Sequence, residues 1–310
     1  MNYFDLHCDT ISECYNNQAA LYKNKMQLSL HKGSNIKGWV QTYAIWLSDE
    51  LSDDEAYTYF NRVYGYFLGQ IQALQEHICF CKNKNEIEKA LNKCKRVALL
   101  SIEGSRPLGH SLERVQEFYD LGVRMMTLTW NESTAVADGC MVENAKGLTA
   151  FGKQVVKKMA ELGMLVDVSH LAEVGFWDVV NTIDKPFIAT HSNSKTICNH
   201  PRNLTDDQFK VFVERKGLVG MNFYPLFINN TKKADIQELL LHIDHFVNLG
   251  GEDVIAMGSD FDGISVTPEH VRGIQDIGYL YQLVVKRYGK RRAEQFFFEN
   301  AYRFMSENLK

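Results

Sequence analysis

His7 and Asp9 stand two residues apart at the end of an apolar run, Tyr3-Phe4-Asp5-Leu6-His7-Cys8-Asp9. Side chains alternate faces along a strand, so the imidazole and the carboxylate project to one side and Cys8 to the other. Converging in this way, they can hold a divalent metal. Four other apolar, β-rich runs end in residues of the same chemistry. Residues 97–102 run into Glu103, 165–169 into His170, 187–190 into His191, and 254–259 into Asp260. One strand-end carboxylate commonly caps the next helix or pairs with an arginine. Six such residues closing five runs are hard to explain as independent caps. Three histidines and three carboxylates exceed what one tetrahedral zinc needs. They suit two metals sharing a bridging carboxylate, which can clamp a hydroxide and polarise a carbonyl together.

Such residues need a frame that brings strand ends to one place. Eight apolar runs are present, near 3–8, 39–46, 97–102, 123–129, 164–169, 186–190, 217–223 and 254–259. Most are followed by a segment of helical periodicity. In 148–162, Leu148, Phe151, Val155, Met159 and Leu162 make one apolar face. Thr205-Asp206-Asp207-Gln208 fits a capping box that opens another helix. Eight strands alternating with helices predict an α/β fold, a closed (β/α)8 barrel with its active site at the C-terminal strand ends. A doubly wound open sheet would usually carry a Gly-rich phosphate turn after its first strand, where this chain has His-Cys-Asp-Thr. Without repeats or a Pro/Gly-rich linker, one domain over residues 1–310 is expected, with a helical insertion at about 52–92.

The bulk properties narrow the classes of partner. A chain of 310 residues with 45% hydrophobic and 23% charged residues suits a globular protein with a sizeable core. The net charge of −4, without a basic stripe, argues against nucleic acid. No apolar segment approaches the roughly 20 residues of a membrane span. Asp5, His7 and Asp9 also stand where a secretory signal would need an apolar stretch. Seven cysteines, an odd number, read as reduced thiols, and the expected location is cytoplasmic.

Six segments resemble, in order, those of the membrane (renal-type) dipeptidase family, peptidase family M19 of the amidohydrolase-like superfamily. They are Asp5-Leu6-His7-Cys8-Asp9-Thr10, Ile102-Glu103-Gly104, Asp167-Val168-Ser169-His170, Thr190-His191-Ser192, Asn199-His200-Pro201-Arg202-Asn203-Leu204 and Gly258-Ser259-Asp260-Phe261-Asp262-Gly263. The resemblance implies a binuclear-zinc barrel hydrolase that cleaves dipeptides and tolerates a D-residue at the C-terminal position. It implies that His7 and Asp9 bind one Zn2+, that Glu103 bridges both, and that His170 and His191 complete the second site. Asp260 resembles the catalytic acid/base. Arg202 resembles the residue holding the substrate's free carboxylate, a task suited to a bidentate guanidinium. Tyr224 resembles another substrate-pocket position, and a core aromatic is an equal alternative.

One position departs from the family. After Thr127-Leu128-Thr129, well-known members carry a substrate-contacting histidine, and this chain has Trp130. An indole donates one hydrogen bond and cannot become an imidazolium. An amidohydrolase with another substrate and a non-catalytic metal-binding paralogue are the alternative readings. The first usually has His-X-His on strand one and a strand-four lysine, neither of which is here. Other candidates read as structural. His242 and His245, three apart on a helix, lack companion ligands, and Cys79-Phe80-Cys81 lacks a second pair. The aromatic run Tyr57, Tyr59, Phe60, Tyr64, Tyr66, Phe67 reads as helix packing or a subunit contact, leaving a homodimer as an expected assembly.

Overall fold

The computed structural model describes residues 1–309. Its strands are β1 (Tyr3–Asp5), β2 (Trp39–Trp46), β3 (Ile78–Phe80), β4 (Arg96–Glu103), β5 (Val123–Thr127), β6 (Leu165–Asp167), β7 (Ile188–Ala189), β8 (Leu218–Met221) and β9 (Ile255–Met257). All pairings are parallel. β1-β2-β4-β5-β6-β7-β8-β9 closes through Asp5 opposite Met257, giving the expected eight-stranded barrel.

The ninth strand was not expected. β3 pairs with the first residues of β4, Arg96 to Ala98, while β5 pairs only from Leu100 onward. β3 therefore takes the part of β4's edge that β5 leaves open. It lies between the helices Asp53–Ala73 and Lys84–Asn92, in the segment that joins β2 to β4.

Phe4, Val40, Leu99, Met125, Leu165, Ile188, Leu218 and Ala256, one from each barrel strand, belong to one buried cluster. The C-terminal helix Asn300–Asn308 adds Ala301, Phe304 and Met305 to it. Because side chains alternate, the positions two further along each strand continue that face. These include Thr127, Asp167, Thr190, Gly220 and Gly258, with Glu103 four residues beyond Leu99. The polar site is thus the next layer of the barrel, stacked on an apolar floor.

The layer is tight. A Cβ on Gly220 or Gly258 would lie 1.9 or 1.8 Å from the Thr190 carbonyl oxygen. β8 at Gly220 and the residue that follows β9, Gly258, must both be bare for Thr190 to fit.

The aromatic run on the helix Asp53–Ala73 is used within the chain. Phe60 and Phe67 are buried, Tyr57 donates to Glu117 at 2.6 Å, and Tyr64 donates to the Leu121 carbonyl at 2.8 Å. Among the described residues, no helix is long and apolar enough to cross a membrane.

Gly258→Ala should cost about 2 kcal/mol or more through overpacking against Thr190. A thermal melt should show a midpoint lower by several degrees, and an unchanged melt would refute this account of the layer.

Candidate metal centre and substrate cavity

Glu103 ends β4 fully inside the protein, and its two carboxylate oxygens face different partners. Oε2 lies 3.3 Å from His7 Nε2, which is itself 3.4 Å from Asp9 Oδ2. Oε1 lies 2.9 Å from His170 Nε2 and 3.5 Å from His191 Nε2. Asp260 Oδ1 stands 4.0 Å from His7 Nε2. His7, Asp9 and Glu103 can offer ligand atoms to one ion, and Glu103, His170 and His191 to another. All six sequence-predicted residues thus meet at one end of the barrel.

These donors fit a pair of cations. Both ring nitrogens of His7 and Oδ1 of Asp9 are buried without a hydrogen-bond partner, despite the short His7 contacts. Asp9 sits at the N-cap position of the helix Thr10–Asn16, yet its side chain makes no capping bond. The ordinary explanation for a carboxylate there therefore fails.

Burial works against charge on Glu103, but the His7 and His170 imidazoles outweigh it and hold the carboxyl well below its usual range. Burial, with Arg202 adding to it, lowers His170 to about 4 and keeps the ring neutral, the form that ligates metal. Asp260 is pushed up to about 6, chiefly by burial.

Ligand orientation comes from a layer of residues that sequence reasoning missed. Asp167 accepts the Thr190 N–H at 2.9 Å and its hydroxyl at 2.6 Å. The Thr190 hydroxyl, its proton given to Asp167, can only accept from His191 Nδ1 at 2.8 Å. That leaves the Nε2 lone pair of His191 facing Glu103. The Asn131 amide oxygen, 3.0 Å from His170 Nδ1, orients that ring in the same way.

Asp5 repeats the Asp167 device on the opposite side of the barrel. It accepts the Ser259 N–H at 2.8 Å and the Ser259 hydroxyl at 2.5 Å, fixing the residue before Asp260. Asn222 donates to Asp260 Oδ2 at 2.9 Å, leaving Oδ1 turned to the site. Each of Asp5, Asp167, Thr190 and Asn222 lies within three residues of a ligand-type or cavity residue. Only its hydrogen bonds distinguish it from ordinary core polarity.

The strands are shorter than the apolar runs suggest. β1 stops at Asp5 and β6 at Asp167, because these carboxylates accept the backbone N–H groups of His7 (3.4 Å) and Ser169 (3.0 Å). His7 and Asp9 therefore converge beyond a strand end, not along a regular pleat. Cys8 does point elsewhere, its thiol donating to the Thr42 carbonyl at 3.4 Å. His170 (φ +67°) and Asp260 (φ +61°) both adopt the left-handed conformation, a strain that site residues often carry.

A cavity of about 390 Å³ opens over the centre, walled by Trp46, Trp130, Tyr224, Phe227, Ile264 and Glu13. Trp130 meets Trp46 edge to face at 5.1 Å between ring centres, and its ring lies 6.3 Å from that of His170. Tyr224 both lines this cavity and packs on the core.

Arg202 is buried and donates to the His191 carbonyl at 3.2 Å, with its Nε unpartnered. It lines an adjoining cavity that shares His170 with the first. A surface pairing is ruled out, because Asp206 binds Thr196 and His245 while Asp207 binds Lys210.

The remaining candidates are structural. Buried His242 accepts from the Ser194 N–H at 3.1 Å and lies 2.8 Å from the Ile228 carbonyl oxygen. The Cys81 thiol donates to the Cys79 carbonyl, and all seven cysteines are free.

Several known proteins share this sequence or architecture. A Klebsiella pneumoniae protein, described as uncharacterized and in the pqqA 5' region, is 34% identical over 199 residues, 61% of this chain and 73% of its own length. The structure of dipeptidase AC, a metallopeptidase of family M19, superposes with a TM-score of 0.93 at 24% identity, covering 100% of this chain and 99% of that one. A Rhodobacter sphaeroides metallopeptidase, liganded with a phosphinate mimic of the dipeptide L-Ala-D-Ala, gives a TM-score of 0.92 at 24% identity with the same coverage. These structural likenesses establish the fold. The family model for membrane dipeptidases, peptidase family M19, matches residues 1–310 from end to end, and the chain belongs to that family: it is a metallopeptidase of the dipeptidase class.

Proposed function

We propose that this chain hydrolyses dipeptides with two divalent ions, zinc being the expected metal, held on either side of Glu103. The observation that carries the proposal is the division of labour at that carboxylate. One oxygen faces His7 and Asp9, and the other faces His170 and His191. When bound, two such ions would activate a shared water and polarise the scissile carbonyl.

The chain's own groups do the rest. Asp260 takes a proton at Oδ1 and delivers it to the leaving amine. Its other oxygen is fixed by Asn222, and its raised pKa suits a group that alternates between the two forms. Arg202 pairs with the substrate's C-terminal carboxylate, and its unpartnered Nε and fixed guanidinium support that assignment. Tyr224 contributes to the cavity wall that confines the dipeptide. The Rhodobacter sphaeroides relative's ligand, a mimic of L-Ala-D-Ala, supports testing substrates with a D-residue in second place.

Purified protein should carry close to two metal ions per chain by elemental analysis. Dialysis against a chelator should remove both the metal and dipeptide hydrolysis, and zinc should restore them. Metal-loaded protein inert on a broad dipeptide panel would defeat the proposal.

Asp260→Asn should lower kcat by about 10²–10⁴-fold, the usual contribution of a positioned acid/base, while metal content stays near that of the parent. Thr190→Val removes the acceptor for His191 Nδ1 and should weaken metal affinity about 10–100-fold in a competition titration. Affinity equal to that of the parent would show that Thr190 does not set the His191 tautomer.

A further inference from the structure

The cavity over the metal centre carries one acidic group, Glu13, that neither the hydrolytic roles nor the fold uses. Among the described residues that line it, none is a lysine or arginine, whereas five are carboxylates: Asp9, Glu13, Glu103, Asp260 and Asp262. Three of these belong to the centre. Asp262 is consumed by the fold, accepting from the Gln27 N–H and the Thr10 hydroxyl, both at 2.6 Å, and from the Leu28 N–H at 3.3 Å.

Glu13 is different. It is half-buried on the helix Thr10–Asn16, and its side chain's one hydrogen-bond partner is the Asn17 amide at 3.1 Å. The groove on its outer side carries Lys25, Lys32 and Arg272, and no ion pair forms between them and Glu13. Arg272 is taken by Asp276, and Lys32 by the Met26 carbonyl.

Two half-buried tryptophans, Trp46 and Trp130, line the same cavity as Glu13. The backbone N–H of Trp46 donates to the hydroxyl of Ser12, the neighbour of Glu13, at 3.0 Å, so helix and strand end are joined there. Trp130 closes the corner edge to face on Trp46. A carboxylate and two indole rings lining one cavity can together receive a cation, because indole is the best cation–π partner and a carboxylate supplies the charge-assisted hydrogen bond.

Resting on the dipeptidase reading above, we infer that the corner formed by Glu13, Trp46 and Trp130 recognises an ammonium or guanidinium group on the substrate's N-terminal residue. Trp130 thereby acts as a recognition residue.

The test compares Lys-Ala with norleucine-Ala, which has a neutral side chain of similar length, on the parent enzyme, Glu13→Gln and Trp46→Leu. If the side-chain cation is the ligand, the parent prefers Lys-Ala by about tenfold in kcat/KM, and each variant loses most of that preference. If the α-ammonium is the ligand, each variant raises KM about tenfold for both dipeptides with kcat little changed. Variants that leave both KM values and the preference unchanged, or lower kcat alone, would overturn the inference. Parent enzyme that cleaves neither dipeptide would defeat the dipeptidase reading instead. Tryptophan-fluorescence titration with the same two compounds then decides the corner. Binding of either compound that weakens about tenfold in Glu13→Gln supports it, and affinities unaltered by that substitution refute it.

Discussion

A buried carboxylate that must face two sets of donors at once constrains everything around it. Glu103 cannot rotate to satisfy His7 without losing His170, and burial makes each lost contact expensive. Its position at the end of β4, the longest barrel strand together with β2, gives it a rigid base. The donors are then brought to it by strands on either side, and each must arrive with its free nitrogen or oxygen aimed inward.

Two aspartates accomplish much of that aiming by the same means. Asp5 and Asp167 each accept both the backbone N–H and the hydroxyl of the residue just before a site residue, Ser259 before Asp260 and Thr190 before His191. Each also accepts a backbone N–H two residues ahead in its own chain segment, ending its strand. One side chain thus terminates a strand and locks the neighbouring strand's functional residue. The left-handed backbones of His170 and Asp260 persist because these bonds, and the close quarters beside Gly263, leave little alternative. A Cβ on Gly263 would lie 2.0 Å from Asp9 Oδ2 and 2.5 Å from Asp260 Oδ1.

The barrel, its strand order and the six converging residues were legible because barrel strands read as apolar runs, and function at their C-terminal ends interrupts those runs with polar types. What escaped was conditional on three-dimensional pairing. Thr190 looks like any strand threonine until Asp167 is found across from it, and Asn222 gains meaning only through Asp260. β3 was missed because three residues, Ile78-Cys79-Phe80, are too few for periodicity to register. They become a strand only because β4 has an unpaired edge. Strand lengths were overestimated for a related reason. Apolar content continues past Asp5 and Asp167, while the ladder stops where their carboxylates capture its N–H groups.

Trp130 on the cavity wall gives that wall a particular electrostatic sense. An imidazole at the cavity wall could share in stabilising developing negative charge, whereas an indole face attracts positive charge. In this chain Trp130 can offer at most one neutral N–H there, beside Asn131 on the same wall, and its ring face is left available for recognition. Glu13 on that wall agrees in sign, while the buried cation Arg202 lies in the adjoining cavity beyond His170. A dipeptide is itself polarised in this sense, with its ammonium at one end and its carboxylate at the other. Glu13 in one cavity and Arg202 in the other, with His170 shared between them, would align such a substrate in one direction.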